Sequence, residues 1–596
     1  MELITVSKKT EKHNPELAAI FHQMASCYRY LGAKHRFRVM AYDSANRTIN
    51  NLKNDISEYA GKNDGLHELK GIGESIGEKI IEYLHTGKIN TFDQLKKKVP
   101  LGLLELMDIN GLGPATVKTL HRRLHINNKE ELIAAIEAGK LENLKGFASK
   151  KVENIKRGLK LFKQAHSRML LWDAQRTGED ILQQVLQLPG IKKAALAGSL
   201  RRKKETIGDI DIVATADKKD WKKIVTRFAS LPQTDRVLAK GDTRAAIVLK
   251  GSGTQVDLRL VQAHEYGAAL LYFTGSKEHN IALRALARAQ GYKLNEYGVF
   301  DAVTDRKLPG TTEEEIYRLF DLQFIPPELR EAGREIETAR KKHIPGLLQL
   351  KDMKGDLHLH STWSDGADEI ETIARYICKE FPAYEYIVIT DHSPSERVAH
   401  GLQPADFTDL FREIERINKK LGKNLVKKGA EVDILANGSL DLPNELLQHL
   451  DWVVASIHSG FKKDNTERLL KACANKYVNC IGHPWGRLIN RRDGYDVDWN
   501  KLFEILNKTG TAIEINAQPD RLDLPDYLVK EAVAAGVMIA IGTDAHALTQ
   551  FDFMQLGVSV ARRGWCEKAN ILNTHSWKRM EQFRKIKLQW GNSDKL

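Results

Sequence analysis

Cysteine is scarce in this chain: five thiols in 596 residues, Cys27, Cys378, Cys473, Cys480 and Cys566, with no CxxC pair among them. That spacing argues against a disulfide framework and against a thiolate metal site. Long apolar runs are missing too. No stretch approaches the roughly 20 residues that span a bilayer. The opening Met-Glu-Leu-Ile-Thr-Val-Ser-Lys-Lys lacks the apolar core of about 7 to 15 residues that marks a signal peptide. A cytoplasmic protein without a membrane role is expected. At 596 residues the chain also exceeds what one hydrophobic core organises, so several domains are expected.

The balance of charge is uneven. The net charge is +13, and residues 1–340 hold 56 Lys and Arg against 43 Asp and Glu, an excess of 13. Residues 341–596 hold 35 of each. The whole basic excess lies in the first part, where a polyanion would bind with release of counterions.

Residues 1–165 read as short amphipathic helices separated by Gly-containing turns. Three segments repeat one pattern: Leu69-Lys-Gly-Ile-Gly73, Ile109-Asn-Gly-Leu-Gly113 and Leu144-Lys-Gly-Phe-Ala148. Gly71, Gly73, Gly111 and Gly113 permit a tight hairpin that leaves backbone N–H groups exposed at a helix N-terminus. Such groups bind a phosphate without reading a base. A single GxG is an ordinary helix connection, but its repetition in a basic region predicts helix-hairpin-helix DNA binding. In the third copy Ala148 replaces the second glycine, which suits packing.

Residues 170–335 alternate apolar strands with helical stretches, and their chemistry is concentrated in Gly198-Ser-Leu-Arg-Arg-Lys-Lys-Glu-Thr-Ile-Gly-Asp-Ile-Asp211. Side chains alternate along a strand, so Asp209 and Asp211 share one face. Two carboxylates so placed bridge two divalent cations, the arrangement that phosphoryl transfer to a hydroxyl requires. Asp257, in the alternating run Gln255-Val-Asp-Leu-Arg-Leu260, fits as the third carboxylate. Gly198-Ser199 and Arg202 would face a triphosphate. DxD alone is a common surface pattern; Gly-Ser, then DxD ten residues on, with a later Asp, is far rarer.

With these residues in view, Gly198-Ser199, Asp209-x-Asp211 and Asp257 resemble the palm of the nucleotidyltransferase superfamily. Tyr272-Phe-Thr-Gly-Ser276 and Leu294-Asn-Glu-Tyr-Gly-Val-Phe300 narrow the resemblance to family X DNA polymerases, the DNA polymerase beta-like group, over residues 1–330. The resemblance implies that Asp209, Asp211 and Asp257 hold Mg²⁺ or Mn²⁺. It implies that Ser199, Arg202, Gly208, Tyr272, Phe273, Gly275, Asn280 and Arg284 bind the incoming nucleotide and nascent pair. Lys79 aligns with the family's Schiff-base lysine for removal of a 5′-deoxyribose phosphate. Gln255, Lys277 and Ser75 depart from the family's Arg, Asp and Lys.

Beyond residue 350 strand–helix units predict a parallel α/β sheet or barrel. Potential ligands stand at the ends of apolar runs: His358, His360 and Asp365; His392; Glu431; His458; His483; Asp544 and His546. Such ends converge on one mouth of a barrel. Imidazole mixed with carboxylate suits Mn²⁺, Zn²⁺ or Fe²⁺. This pattern resembles the polymerase-and-histidinol-phosphatase domain, which implies a distorted (β/α)7 barrel, three metal ions and hydrolysis of phosphate esters. In bacterial family X polymerases it implies 3′→5′ exonuclease, 3′-end processing and, in some members, cleavage at abasic sites.

The expected chain is therefore multidomain, α and α/β. Its parts would be an 8-kDa-like helical domain (1–90), a fingers-like helical domain (91–165), a palm (166–265), a thumb-like nucleotide-selection domain (266–330), a linker (331–350) and the metal-dependent barrel (351–596). The expected partners are gapped or nicked DNA and deoxynucleoside triphosphates, handled by a nucleoid-associated monomer in base excision repair or end joining. A nucleotidyltransferase for RNA or a small acceptor, and a non-catalytic DNA-end scaffold, are the alternatives.

Overall fold

Regular alternation and periodicity in the sequence become two compact units. The computed structural model describes residues 13–593 apart from 53, 62–64, 70, 108, 110–111, 145, 148–150, 160–167 and 332–333. One unit is Met1–Ala165 with Asn490–Arg492, the other His166–Ile489 with Asp493–Leu596. Among the described residues no helix is long and apolar enough to cross a membrane.

The first unit is helical. In the helix Asn14–Leu31, Leu17, Phe21 and Met24 recur at helical spacing and are fully buried. They belong to one apolar cluster that continues as far as Leu159, so the stretches 1–90 and 91–165 share a core. Its hairpins repeat one geometry. Ile72, Leu112 and Phe147 are buried, and their N–H groups donate to Leu69, Ile109 and Leu144 O, each at 3.0 Å. Gly71 and Gly146 hold the same left-handed backbone, φ 88° and 92°. A Cβ at Gly71 would also lie 2.3 Å from Ser44 Oγ. Gly73 and Gly113 then cap the helices Glu74–Thr86 and Pro114–Leu124. Gly111 and Ala148 lie outside the described residues.

The second unit opens with a five-stranded mixed sheet in the order Ile191–Leu196, Asp209–Ala216, Gln255–Val261, Arg244–Leu249, Thr234–Lys240. The central pair is parallel, and its register sets Asp211 directly opposite Asp257. Next come the helices Tyr266–Thr274 and Lys277–Ala289, a hairpin of Tyr292–Asn295 with Gly298–Asp301, and the helix Glu313–Leu319. A charged triad, buried at Glu313 and Arg330 and half-buried at Arg201, ties this region to the sheet. Arg201 Nη1 and Nη2 donate to Glu313 Oε1 (2.9 Å) and Oε2 (2.6 Å), and the fully buried Arg330 donates to Glu313 Oε1 at 2.6 Å.

The stretch 331–350, expected as a linker because it is charged and carries Pro345-Gly346, is packed instead. The helix Arg334–Arg340 lies in it, and Ile336, Ala339, Ile344 and Leu347 join the apolar cluster of the preceding helices. Most of its charge faces solvent, at Arg334, Glu337, Arg340, Lys341 and Lys342, while Glu335 is buried and bonded through Oε1 to His279 Nδ1 at 2.6 Å.

Seven parallel strands follow in strict chain order: Gly355–Leu359, Tyr386–Ile389, Val426–Asp433, Trp452–Ser456, Cys480–Ile481, Ala512–Asn516 and Ile539–Gly542. The ring closes by a parallel bridge between Leu359 and Ala545, with Asp544 N donating to His358 O and His360 N to Ala545 O. Asp356 staples the same seam by accepting Thr543 N and Thr543 Oγ1. The expected (β/α)7 barrel is thus present. Palm and barrel are not separated by solvent: one apolar cluster runs from Leu171 through the five-stranded sheet and the barrel to Ile571.

Burial opposes the charge of Glu313, yet Arg330 and Arg201 hold its carboxyl down at about 2. Removing one member of such a triad leaves the others buried and uncompensated. Glu313→Gln is therefore expected to destabilise this unit by about 3 to 5 kcal/mol at neutral pH. A carboxylate with a depressed folded pKa contributes above its unfolded pKa and stops contributing as pH falls through the folded value. The difference in denaturant midpoint between wild type and variant should narrow as pH drops below about 4.5.

Candidate active sites

The palm site is built by register. Asp209 and Asp211 alternate onto one face of their strand, and Asp257 meets Asp211 from the next. Carboxylate oxygens of all three lie within 4.8 Å of one another. Burial, then Asp209 and Asp257, push the Asp211 carboxyl up to about 7, and burial also raises Asp257. Carboxylates that raise one another in this way form a cavity of negative charge suited to divalent cations, so the donor set fits the expected Mg²⁺ or Mn²⁺.

Close approach shapes the edge of that site. Gly198 has φ 60°, and a Cβ there would lie 2.1 Å from Asp211 Oδ2. The half-buried Ser199 follows it in the short helix Gly198–Arg201, and Gly208 directly precedes Asp209. Gln255 orients the third carboxylate: its Nε2 donates to Asp257 Oδ2 at 2.6 Å. Arg202 is near enough to lower the Asp211 carboxyl. Its Nη1 donates to Thr274 O, and its Nε to Glu331 Oε1 at 3.1 Å.

Tyr272 and Phe273 end the helix Tyr266–Thr274, their rings edge to face with centroids 5.2 Å apart. Gly275 takes φ 70°, and a Cβ on it would sit 3.2 Å from Arg202 Nη1. Asn280 Nδ2 donates to Tyr272 O at 2.7 Å, tying the next helix to this turn, while Arg284 and Lys277 are exposed. Lys79, in the first unit, is half-buried and donates to Ser75 O (2.7 Å) and Ser75 Oγ (2.9 Å). A nucleophilic lysine needs desolvation or neighbouring cations, and here the ammonium bonds back onto the preceding turn of its own helix.

The barrel gathers its histidines around three carboxylates. Glu431 Oε1 lies 2.8 Å from His483 Nε2 and 3.3 Å from His458 Nε2, and its Oε2 lies 3.0 Å from His392 Nδ1 and 3.4 Å from His358 Nε2. Asp365 Oδ1 lies 3.3 Å from His546 Nε2 and 3.6 Å from His392 Nε2. Asp544 Oδ1 lies 3.1 Å from His360 Nε2. All nine residues singled out in the sequence meet here. His358 Nε2, both ring nitrogens of His360, Asp365 Oδ1, His392 Nδ1 and His483 Nδ1 are buried without a hydrogen-bond partner. Burial, with His546 and His392 alongside, pushes the His360 ring down to about 3, the neutral form that ligates a metal. Burial opposes charge on His458, yet Glu431 and Asp433 push its ring up to about 10, a measure of the negative charge gathered at this mouth. Orphaned donors of imidazole and carboxylate type fit several borderline divalent ions.

Residues outside the expected set hold these ligands. Glu514 Oε1 accepts from His358 Nδ1 at 2.7 Å, and its Oε2 accepts from His483 N at 2.6 Å. Asp433 Oδ1 bonds His458 Nδ1 at 2.6 Å, with Glu396 Oε1 3.9 Å from the same nitrogen. Asn516 Nδ2 donates to Asp544 Oδ2 at 3.0 Å. The signal for Glu514 was a lone acid inside the apolar run Ala-Ile-Glu-Ile, and for Asp433 its i+2 spacing from Glu431 on one strand. Partners of this kind fix tautomer and ring orientation. Glu514→Ala is expected to weaken metal binding by about 10- to 100-fold, read by titration calorimetry and by metal content after dialysis.

Comparison with known proteins follows the same division. A DNA polymerase beta thumb model matches residues 269–331, a helix-hairpin-helix domain model residues 12–89, and a SAM-like helix-hairpin-helix tandem model residues 103–161. DNA polymerase/3′-5′ exonuclease PolX of Bacillus subtilis is 37% identical over 577 residues, covering 96% of this chain and 99% of its own length. DNA polymerase lambda of Rattus norvegicus is 27% identical over 54% of this chain and 57% of its own length. A protein named probable phosphatase of Thermoanaerobacter sp. is 28% identical over 40% of this chain and 98% of its own length. A palm with three carboxylates in register, a matching thumb, paired helix-hairpin-helix segments and a histidine-rich barrel, aligned end to end with one relative, place this chain in family X of the DNA polymerases, among the PolX proteins that carry a 3′-5′ exonuclease.

Proposed function

We propose that this protein is a repair polymerase that fills short gaps in DNA and trims 3′ termini, with addition in the palm and hydrolysis in the barrel. The observation that carries the reading is the survival of both ligand sets in one chain: Asp209, Asp211 and Asp257 in one, and the nine His, Asp and Glu residues in the other. The helix-hairpin-helix turns of the basic first unit would hold the DNA backbone, with Gly71 and Gly73, and by sequence Gly111 and Gly113, opening the N–H groups to phosphate.

In the palm, Asp209, Asp211 and Asp257 would hold Mg²⁺ or Mn²⁺, which lowers the pKa of a 3′-hydroxyl and offsets charge on departing pyrophosphate. Ser199, Gly208 and Arg202 would receive the triphosphate. Tyr272, Phe273 and Gly275 would flank the sugar of a deoxynucleotide, and Asn280 and Arg284 the nascent pair. In the barrel, His358, His360, Asp365, His392, Glu431, His458, His483, Asp544 and His546 would hold three ions, of Mn²⁺, Zn²⁺ or Fe²⁺. Their neighbours Glu514, Asp433 and Asn516 keep the ring nitrogens and carboxylates aimed inward. The protein is read as a cytoplasmic monomer. Lys79 is the residue the sequence offers as a lyase nucleophile, and its ammonium is bonded to Ser75 O and Ser75 Oγ.

The two chemistries separate genetically on this reading. Asp209→Ala or Asp257→Ala should abolish nucleotide incorporation on gapped DNA and leave 3′→5′ degradation of a labelled primer. His360→Ala or His458→Ala should do the reverse, with wild-type degradation highest in Mn²⁺. Degradation that survives both His changes but disappears with Asp209→Ala would move the nuclease into the palm. DNA affinity should fall steeply with salt, and Gly71→Val should weaken it, because a left-handed backbone and 2.3 Å to Ser44 Oγ leave no room for a side chain.

A further inference from the structure

One side chain of the barrel half reaches the residue on which triphosphate binding rests. Arg563 ends the helix Met554–Arg563, which packs between barrel and palm. Its side chain is only 5% exposed. Nη1 donates to the backbone carbonyl of Arg202 at 2.8 Å and to Glu331 Oε1 at 2.9 Å, and Nη2 donates to Asp526 Oδ2. That Glu331 oxygen is the one that accepts from Arg202 Nε at 3.1 Å. Residue 202 is therefore held twice, through its main chain and through its guanidinium's partner, by an arginine 361 positions away.

Burying a guanidinium is costly unless its donors are matched to acceptors. Of its acceptors, the Arg202 carbonyl and Glu331 belong to the polymerase half, while Asp526 opens the barrel helix Asp526–Ala534. Simple attachment of the two halves does not need this bond. Arg562 holds Glu328 (2.8 Å) and Leu348 O (2.8 Å), Gln175 pairs with Gln555 (2.8 Å), and Trp172 packs edge to face on Phe553 at 5.1 Å. None of those contacts touches Arg202.

We propose that Arg563 is a positioning residue of the nucleotidyl-transfer site, a barrel side chain that fixes the height of Arg202 and shares its counter-ion. The inference rests on the reading of Arg202 as a triphosphate contact. Glu331 faces Arg202, Arg563 and, at 3.9 Å, Lys204. With Arg563 present, the Glu331 carboxylate is shared between two guanidinium groups. Without it, Glu331 would turn its full charge on Arg202 and compete with the incoming phosphates, while the Arg202 carbonyl would lose its anchor. Polymerase affinity for nucleotide would then depend on the half of the chain that carries the hydrolase.

The test is single-nucleotide filling of a one-nucleotide gap by the full chain, with KM for the deoxynucleoside triphosphate and kcat measured separately. Losing a charge-assisted contact is expected to raise KM about 10- to 100-fold in Arg202→Gln and about 10-fold in Arg563→Gln, with kcat changed less. Arg562→Gln should leave both constants at wild-type values. Glu331→Gln placed on Arg563→Gln should recover most of the lost affinity, because the competing charge is gone; a purely structural role predicts further loss. Degradation of a labelled 3′ end should stay intact in Arg563→Gln and thereby report folding. If it does not, Arg563→Lys keeps the charge with a less extended donor set, and KM is expected to rise about 3- to 10-fold. A raised KM in Arg202→Gln with an unchanged KM in the folded Arg563 variant, or equal effects of Arg562→Gln and Arg563→Gln, would overturn the inference alone. An unchanged KM in Arg202→Gln would overturn the triphosphate reading and the inference together.

Discussion

The pairing of Asp209–Ala216 with Gln255–Val261 puts Asp211 across from Asp257, and the polymerase half is organised around the cost of that placement. Like charges in a partly desolvated setting raise one another, which is why Asp211 is pushed so far from ordinary carboxylate behaviour. A strand pair would relieve the strain by slipping one residue, but a slip would turn every apolar neighbour outward. Ile210, Ile212, Val256 and Leu258 are buried and forbid it. The apolar register thus compels the carboxylates to stay together, and cations are what that arrangement is suited to accept.

The barrel solves the same problem with different means. Its ligands sit on six separate strands, strand ends or the loops after them, so no single register holds them. Hydrogen bonds from behind the ligands do so instead: Glu514 behind His358, Asp433 behind His458, Asn516 behind Asp544. Asp356 closes the seam that brings His358 and His360 alongside Asp544, and burial raises its carboxyl to about 6 even as it accepts three hydrogen bonds. A site assembled from many strands can change one supporting residue without losing the rest, which is the sense in which such barrels host varied chemistry.

The ligands themselves were legible in the sequence because each follows a local rule. Asp209 and Asp211 obey the two-residue period of a strand, and His392, His458, His483 and Asp544 follow short apolar runs. The helix-hairpin-helix turns were legible for a similar reason, since only glycine tolerates the left-handed backbone seen at Gly71. What was not legible depends on contacts distant in sequence. Glu514 and His358 are 156 positions apart, and Arg201 and Glu313 are 112 apart. The stretch 331–350 has the composition of a linker, and only the buried His279 that faces Glu335 shows why the charge is tolerated inside. Nor does the sequence show that the Gln255 amide reaches Asp257 Oδ2 and so orients that carboxylate.

Long-range contacts also decide how independent the two chemistries are. Chains with two catalytic parts are usually imagined as beads on a linker, each free to move. Here palm and barrel share one apolar cluster, with Leu171, Ile210 and Leu258 in the same continuous core as Ile389, Val432 and Ile541. Separating them would expose that surface to water, a cost proportional to the apolar area uncovered. The thumb helices beyond Gly275 and the helical first unit stand outside this core, each with its own apolar cluster. If addition takes place in the palm and removal in the barrel, as proposed above, both sites stand on one continuous apolar core, and a growing 3′ end would pass between them through movement of the DNA.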